Sequence, residues 1–237
     1  MLGRFLELTV HCDAIMDSWS FYQRLGFGAA LMSDNTPDAH SVVSDGRISI
    51  GLHNGAPQLP HLTFVHSDLV AHANALENLR LRLSRRDITD ATFNQIETLT
   101  PDAISIRLLE ARTFSPMDAS RPSALGWFDE IVLSVTNVRA SGDFWESLGC
   151  VLIDNGGDSW PPHTLTCDTI NIGLCTRSRW KTPALLFSTT DLTSVRDAVE
   201  RCGVVPEEIL PRPLDPDTHL LVMAPEGTPL IVRKVSN

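Results

Sequence analysis

The sequence is poor in basic residues: 19 Lys and Arg stand against 29 Asp and Glu, a net charge of −10. Phosphate-rich partners would be repelled, so neither nucleic acid nor an anionic membrane surface is an expected partner. No apolar run approaches the roughly 18 residues of a membrane span, and MLGRFLELTV lacks a signal peptide's long apolar stretch and cleavage site. Five cysteines (Cys12, Cys150, Cys167, Cys175 and Cys202) include no CxxC pair. Their odd number fits neither a disulfide framework nor a zinc-finger pattern, and they read as reduced, mostly buried thiols of a cytoplasmic protein. No GxGxxG follows a strand, and GxxxxGK[ST] and GxSxG are absent, which leaves dinucleotide, phosphate-loop and serine-hydrolase chemistry unsupported. What is present is an ordinary globular composition, 43% hydrophobic over 237 residues, enough for two domains of usual size and a small-molecule partner.

The chain repeats itself. FYQRLGF (21–27) returns as FWESLGC (144–150), an offset of 144 − 21 = 123 residues. ELTVHCDAIMDSWSFYQRLGF lies over EIVLSVTNVRASGDFWESLGC, placing Glu7 on Glu130, Ile15 on Val138 and Gly26 on Gly149. His40 then meets His163, and ISIGLH (48–53) meets INIGLC (170–175) after a one-residue deletion.

Each half also has a readable local order. The β-rich runs ELTV and EIVLSV precede Asp13 or Thr136 as candidate helix N-caps. A helix follows with Ile15, Trp19, Tyr22 and Leu25 at spacings of three and four, ended by Gly26 or Gly149 at positive φ. SVVS, Asp45-Gly46 and RISIGLH read as a hairpin. The pattern then restarts within each half, at HLTFV and at ALLFS. The sequence thus predicts an α+β fold of four βαβββ units: a first domain over 1–112 (units 1–57 and 58–112), a linker over 113–125, and a second domain over 126–237 (units 126–180 and 181–237).

Four such units, with FYxxLGF-type helix ends in the first and third, resemble the vicinal oxygen chelate superfamily, also called the glyoxalase/bleomycin resistance/dioxygenase superfamily. The resemblance covers nearly the whole chain and implies two cupped, incomplete β-barrel domains. In catalytic relatives a divalent metal sits in the cup, held by His, Glu or Gln. The matching positions here are Glu7, Gly51, His61 and Arg107 in the first domain and Glu130, Gly173, Ala184 and Ile231 in the second.

Neither set is a usual metal site. Gly51, Gly173, Ala184 and Ile231 bring no donor, and a permanent cation at Arg107 repels a metal. Arg107 is expected to take the ion's place and neutralise Glu7, with His61 beside them. No cofactor is therefore expected, and the protein is read as binding or sequestering a small molecule, as bleomycin-resistance-type members do. The alternative is a glyoxalase-like lyase or isomerase, or a dioxygenase, with atypical ligands: a divalent metal on Glu7 and His61, and Glu7 or Glu130 as catalytic base.

Alternation along the first strands puts Glu7, Thr9 and His11 on one face, and likewise Glu130, Val132 and Ser134. The candidate ligand-binding residues are Glu7, His11, His61, Arg107, Glu130, Trp160 and Trp180, the two tryptophans because they fall in loop-like segments. The bland counterparts are a relic carboxylate, a cavity-lining histidine and core aromatics; Trp19 and Trp145 are read as core. His40, His163 and His219 each open a strand, and the cluster of His61, His66 and His72 is split between the two sides of its strand. With four units already in one chain, a monomer is favoured over a homodimer.

Overall fold

The computed structural model describes residues 2–29, 40–54, 60–79, 81, 83–88, 94–110, 122–156, 159–176, 179–180 and 182–236. The first domain runs β1 (Arg4–His11), α1 (Ile15–Arg24), β2 (Gly28–Ala29), β3 (His40–Ser44), β4 (Ser49–His53), then β5 (His61–His66), α2 (Leu69–Asn78), β6 (Leu83–Asp87), β7 (Gln95–Leu99) and β8 (Ser105–Glu110). The second runs β9 (Trp127–Ser134), α3 (Val138–Ser147), β10 (Val151–Asp154), β11 (His163–Cys167), β12 (Ile170–Cys175), then β13 (Ala184–Thr189), α4 (Leu192–Arg201), β14 (His219–Met223) and β15 (Pro229–Lys234). Two mixed sheets result, ordered β2-β3-β4-β1-β5-β8-β7-β6 and β10-β11-β12-β9-β13-β15-β14, neither closed into a barrel.

Period-two patterning assigns one face of each sheet to a shared core. Leu8, Val10, Leu62, Phe64, Ile106 and Leu108 of the first sheet and Ile131, Leu133, Leu185, Phe187, Leu230 and Val232 of the second are buried in one continuous cluster with the helices. Phe27 packs edge-on against Phe187 across the domain boundary, their ring centroids 6.4 Å apart. The opposite faces, which carry Glu7 and Glu130, therefore look away from this core, and any chemistry belongs to those outer faces.

The helix ends explain the repeated phrase. At the end of α1, Phe21, Tyr22 and the C-cap Leu25 are buried while Gly26 takes φ 93°, and the Phe27 amide donates to the Tyr22 carbonyl; Gly149 repeats this at φ 94°. The N-caps differ from expectation. α1 starts after Ala14 with no side-chain cap, and α3 is capped by Asn137, whose Oδ1 accepts from the Ala140 amide. Each strand-to-helix connection is one residue longer than read, so Asp13 and Thr136 fall outside the capping position.

A pseudo-twofold clasp joins the domains. The β7–β8 turn presents Asp102, which accepts hydrogen bonds from the Thr136 amide, Thr136 Oγ1 and Ser141 Oγ of the other domain. The β14–β15 turn presents Glu226, which accepts from Ser18 Oγ (2.7 Å) and Tyr22 OH (2.6 Å). Ser18 and Ser141 are repeat equivalents, so each domain holds the other's leading helix by one carboxylate.

Two expectations are corrected. Cys150 and Cys167 form a disulfide, with Cα atoms 4.5 Å apart, tying the end of α3 to β11; Cys12, Cys175 and Cys202 remain free. The bonded pair is set by tertiary proximity, which an odd cysteine count cannot reveal. The fourth unit is βαββ among the described residues: Pro206, Pro211 and Pro213 lie between α4 and β14, and Pro has no N–H for a ladder. Of the linker, residues 113–121 lie outside the described residues, as does the TPDA segment before His40. No helix among the described residues is long and apolar enough to cross a membrane.

Candidate functional site

The strand register builds the site row by row. Glu7 on β1 faces Thr63 on β5, Thr63 faces Arg107 on β8, and Arg107 faces Glu97 on β7. One pleat along, Gly51, Thr9 and His61 form a second row, and His11 faces His53 beyond it. Paired residues point to the same side of a sheet, so these groups share the outer face of the first sheet.

Glu7, His61 and Arg107 lie on one face of the sheet, but the ion pair differs from the expected one. Arg107 Nε donates to Glu97 Oε1 at 2.8 Å, so its ion-pair partner is Glu97 and not Glu7. Glu97 was missed because its place opposite Arg107 is set by the β7–β8 turn. Thr9 Oγ1 donates to Glu7 Oε1 at 3.1 Å. Gly51 has a positive reason to lack a side chain: a Cβ there would stand 2.8 Å from Glu7 Oε1, so the carboxylate lies against bare backbone. Thr63, also missed, is 2% exposed, and its Oγ1 has no hydrogen-bond partner among the described residues. His61 is buried, and burial, together with the nearby Arg107 and His53, pulls its pKa down to about 4 against the opposing effect of Glu97. His11 stands further out, its Nε2 3.5 Å from Asp13 Oδ1.

The second sheet repeats the register with different chemistry. Glu130 faces Leu186, Leu186 faces Ile231 and Ile231 faces Leu221; Val132 faces both Gly173 and Ala184. Thr9, His61, Thr63, Glu97 and Arg107 thus correspond to Val132, Ala184, Leu186, Leu221 and Ile231. The apolar set joins Trp160, Cys175 and Leu214 in a separate cluster, with Trp180, Leu210 and Met223 against it. Trp160 and Trp180, expected at a pocket, instead belong to this filling. Pro161 lies over Gly173, where a Cβ would approach its Cγ to 2.5 Å.

Glu130 survives beneath that cover. Thr164 Oγ1 donates to its Oε2 at 2.9 Å, and Arg233 Nη2 stands 4.0 Å from its Oε1 while bonding Asp129 at 2.8 Å. Burial pushes Glu130 up to about 7; Asp129 adds to the rise, and Thr164 and Arg233 oppose it. His219 and His163 open β14 and β11 as read, and burial holds His219 below the usual histidine range. His66 and His72 stack at 4.3 Å. A separate groove of about 390 Å³ lies between Trp127 and α4, lined by Ser188, Asp191 and Ser194, away from both Glu7 and Glu130.

Two mixed sheets of this topology, each with two helices, make a two-domain α+β fold shared with solved extradiol dioxygenases. The chain resembles the 2,2',3-trihydroxybiphenyl 1,2-dioxygenase of Sphingomonas wittichii strain RW1 with a TM-score of 0.63 at 17% identity, covering 99% of this chain and 91% of that one. It resembles a catechol 2,3-dioxygenase with a TM-score of 0.63 at 15% identity, covering 100% and 89%. For the homoprotocatechuate 2,3-dioxygenase of Arthrobacter globiformis the TM-score is 0.66 at 14% identity, covering 99% and 80%. No protein-family model matches the chain, and no curated protein matches it by sequence.

The residues present do not fit the divalent metal that the resemblance implies. The first face offers Glu7 and His61 as donors, but Gly51 supplies none, and the next strand brings a guanidinium into the same row. The second face offers Glu130 among apolar side chains. No group of three or more His, Cys, Asp or Glu side chains among the described residues could hold an ion.

Proposed function

We propose that the chain is a small-molecule-binding protein whose working face is the outer face of the first sheet, used without a metal. The observation that carries this reading is the comparison of equivalent rows: five positions are polar in the first sheet and apolar in the second. Burying each Leu or Ile side chain contributes ~1.5–3 kcal/mol. The first sheet forgoes that gain at Thr63, Glu97 and Arg107, where the second carries Leu186, Leu221 and Ile231. A polar face kept at such cost, beside a copy that is packed apolar, is a face kept for binding.

Within this reading Glu7 and Arg107 provide opposite charges, Thr63 a hydroxyl and His61 a neutral imidazole. The likeness to dioxygenases favours a second reading, catalysis with Glu7 or Glu130 as base; the donor sets described above weigh against its metal-assisted form. Thermal-shift measurement of the purified protein against a library of anionic, cationic, zwitterionic and neutral metabolites tests the binding reading. Stabilisation by at least one class, lost when the first sheet carries Thr63→Leu with Arg107→Leu, is expected. Absence of any stabilisation, or stabilisation that survives those changes, overturns it. A stoichiometric metal found by elemental analysis of the same sample would overturn the metal-free part.

A further inference from the structure

The β3–β4 and β11–β12 turns are repeat equivalents held by different means. In the first domain Asp45 closes the turn, its Oδ1 accepting from the Arg47 amide at 2.8 Å and the Ile48 amide at 2.9 Å. The matching place in the second domain is Cys167 (167 − 45 = 122, the offset of this hairpin). There the carboxylate is replaced by the bond to Cys150. Cys150 and Cys167 extend the register of Val151 with Thr166 by one place, so the bond crosses directly from the edge strand β10 to β11, with Cα atoms 4.5 Å apart. Phe27 and Asp45, next to the pair Gly28 and Ser44, hold the equivalent places in the first sheet and have no such tie.

Both turns reach the first strand of the other domain. Arg47 lies over Trp127 at the start of β9, 4.5 Å from the ring centroid. Thr169, the second residue after Cys167, accepts a 2.8 Å hydrogen bond at Oγ1 from the Phe5 amide of β1. Glu7 is the second residue after Phe5, and the pairing of β1 with β5 shifts register between them; bulges of this kind re-aim the side chains beside them. The disulfide thus stands one short step from the contact that anchors the strand carrying Glu7. The shared apolar core and the Asp102 and Glu226 contacts hold the domains independently of this turn, so its release is a local event.

We infer that Cys150–Cys167 is a redox-controlled fastener: intact, it holds the β11–β12 turn against β1, and reduced, it releases Thr169 from the Phe5 amide while the fold persists. The reductant is a dithiol. Cys167 is half-buried whereas Cys150 is 5% exposed, so the reductant's thiolate attacks Cys167 Sγ. The Sγ–Sγ bond breaks, a mixed disulfide forms on Cys167, and Cys150 leaves as a thiolate that takes a proton from water. The reductant's second thiol then displaces Cys167, which also leaves as a thiol; the dithiol is oxidised to its disulfide and two electrons have passed to the protein.

The test is amide exchange followed by NMR on the full chain, first oxidised and then treated with dithiothreitol under native conditions. In the reduced protein the Phe5 amide should exchange at least tenfold faster, while the Leu133 amide, in the core strand β9, keeps its rate; oxidised glutathione should restore the slow exchange at Phe5. Thr169→Val removes the acceptor and leaves the disulfide, so this variant should show fast Phe5 exchange already when oxidised and no response to dithiothreitol. Cys150→Ala with Cys167→Ser should match the reduced wild type, and where that variant does not fold, reversible reduction of the wild type supplies the comparison. A Phe5 rate equal in both redox states overturns the inference, as does a bond that dithiothreitol cuts only in denatured protein. Acceleration at Leu133 as large as at Phe5 also overturns it, by showing a staple of the whole fold.

Discussion

Replacing Glu130 by Gln should stabilise the protein at alkaline pH and leave it nearly unchanged in acid. Glu130 is 3% exposed, and burial raises its pKa from 4.5 to about 7. The native state therefore keeps the proton up to about pH 7, whereas the unfolded chain releases it near 4.5. Between those values the native state binds more protons than the unfolded state, and stability falls as pH rises. The gap between 4.5 and about 7, at ~1.4 kcal/mol for each pH unit, amounts to ~3 kcal/mol. Gln keeps an oxygen for Thr164 Oγ1 and carries no charge, so the variant should escape that loss. His61 works in the other direction: its pKa is lowered from 6.5 to about 4, so its contribution is present above pH ~6.5 and is lost as pH falls toward 4. The wild-type profile sums these opposed slopes, and only the difference between wild type and Glu130→Gln isolates Glu130. Urea unfolding of both proteins from about pH 5 to pH 8 reads that difference, which should widen with pH. A difference independent of pH would mean that Glu130 ionises like an exposed carboxylate and that the second outer face is wet.

Three further outcomes follow from the structure. Reducing Cys150–Cys167, which spans 17 residues, should cost ~3 kcal/mol by freeing the unfolded chain; thiol titration of the denatured, unreduced protein should count 5 − 2 = 3 free groups, and a count of five would remove the bond. Asp102→Ala removes three acceptor contacts to Thr136 and Ser141 and should lower stability by ~2 kcal/mol, with a matching loss for Glu226→Ala at the other half of the clasp; a urea midpoint within error of wild type in both would show that the apolar core alone holds the domains. Gly51→Ala places a Cβ 2.8 Å from Glu7 Oε1 and should cost ~1–3 kcal/mol. Most of that loss should be recovered in the double variant with Glu7→Ala, a coupling that unfolding of all four proteins measures directly.

The fold was legible because the duplication supplied its own test. Glu7 and Glu130, and Gly26 and Gly149, recur at the same spacing of 123 residues, Asp45-Gly46 marks a hairpin by itself, and local rules suffice to read them. Contacts between distant segments were not legible. Arg107 could be assigned to the outer face, but choosing between Glu7 and Glu97 as its partner needs the β7–β8 register. The filling of the second face was also hidden. Trp160 looks like a pocket wall until the strands show it packed with Leu214, Leu186 and Ile231 in one apolar cluster. The contrast of Thr63 with Leu186 was present in the aligned halves, yet it acquires meaning only when both residues are seen in the same row of their sheets.

That contrast makes the first face testable without knowing its ligand. Thr63 is 2% exposed and its hydroxyl has no partner among the described residues, and leaving a hydroxyl buried unpaired costs ~1–3 kcal/mol. Thr63→Val keeps the shape and removes the hydroxyl, so urea unfolding should show a gain of ~1 kcal/mol in the ligand-free protein. The same change should weaken binding of whichever probe the first face takes, because the hydroxyl's hydrogen-bonding capacity is then used only in the complex. Stability and function would move in opposite directions at one atom, as at sites held for ligands rather than for folding. A loss of stability in Thr63→Val would instead show that the hydroxyl is already satisfied in the free protein. A gain with unchanged binding would separate Thr63 from the ligand. Either result would leave the polar face without the feature that distinguishes a binding row from an incompletely filled one.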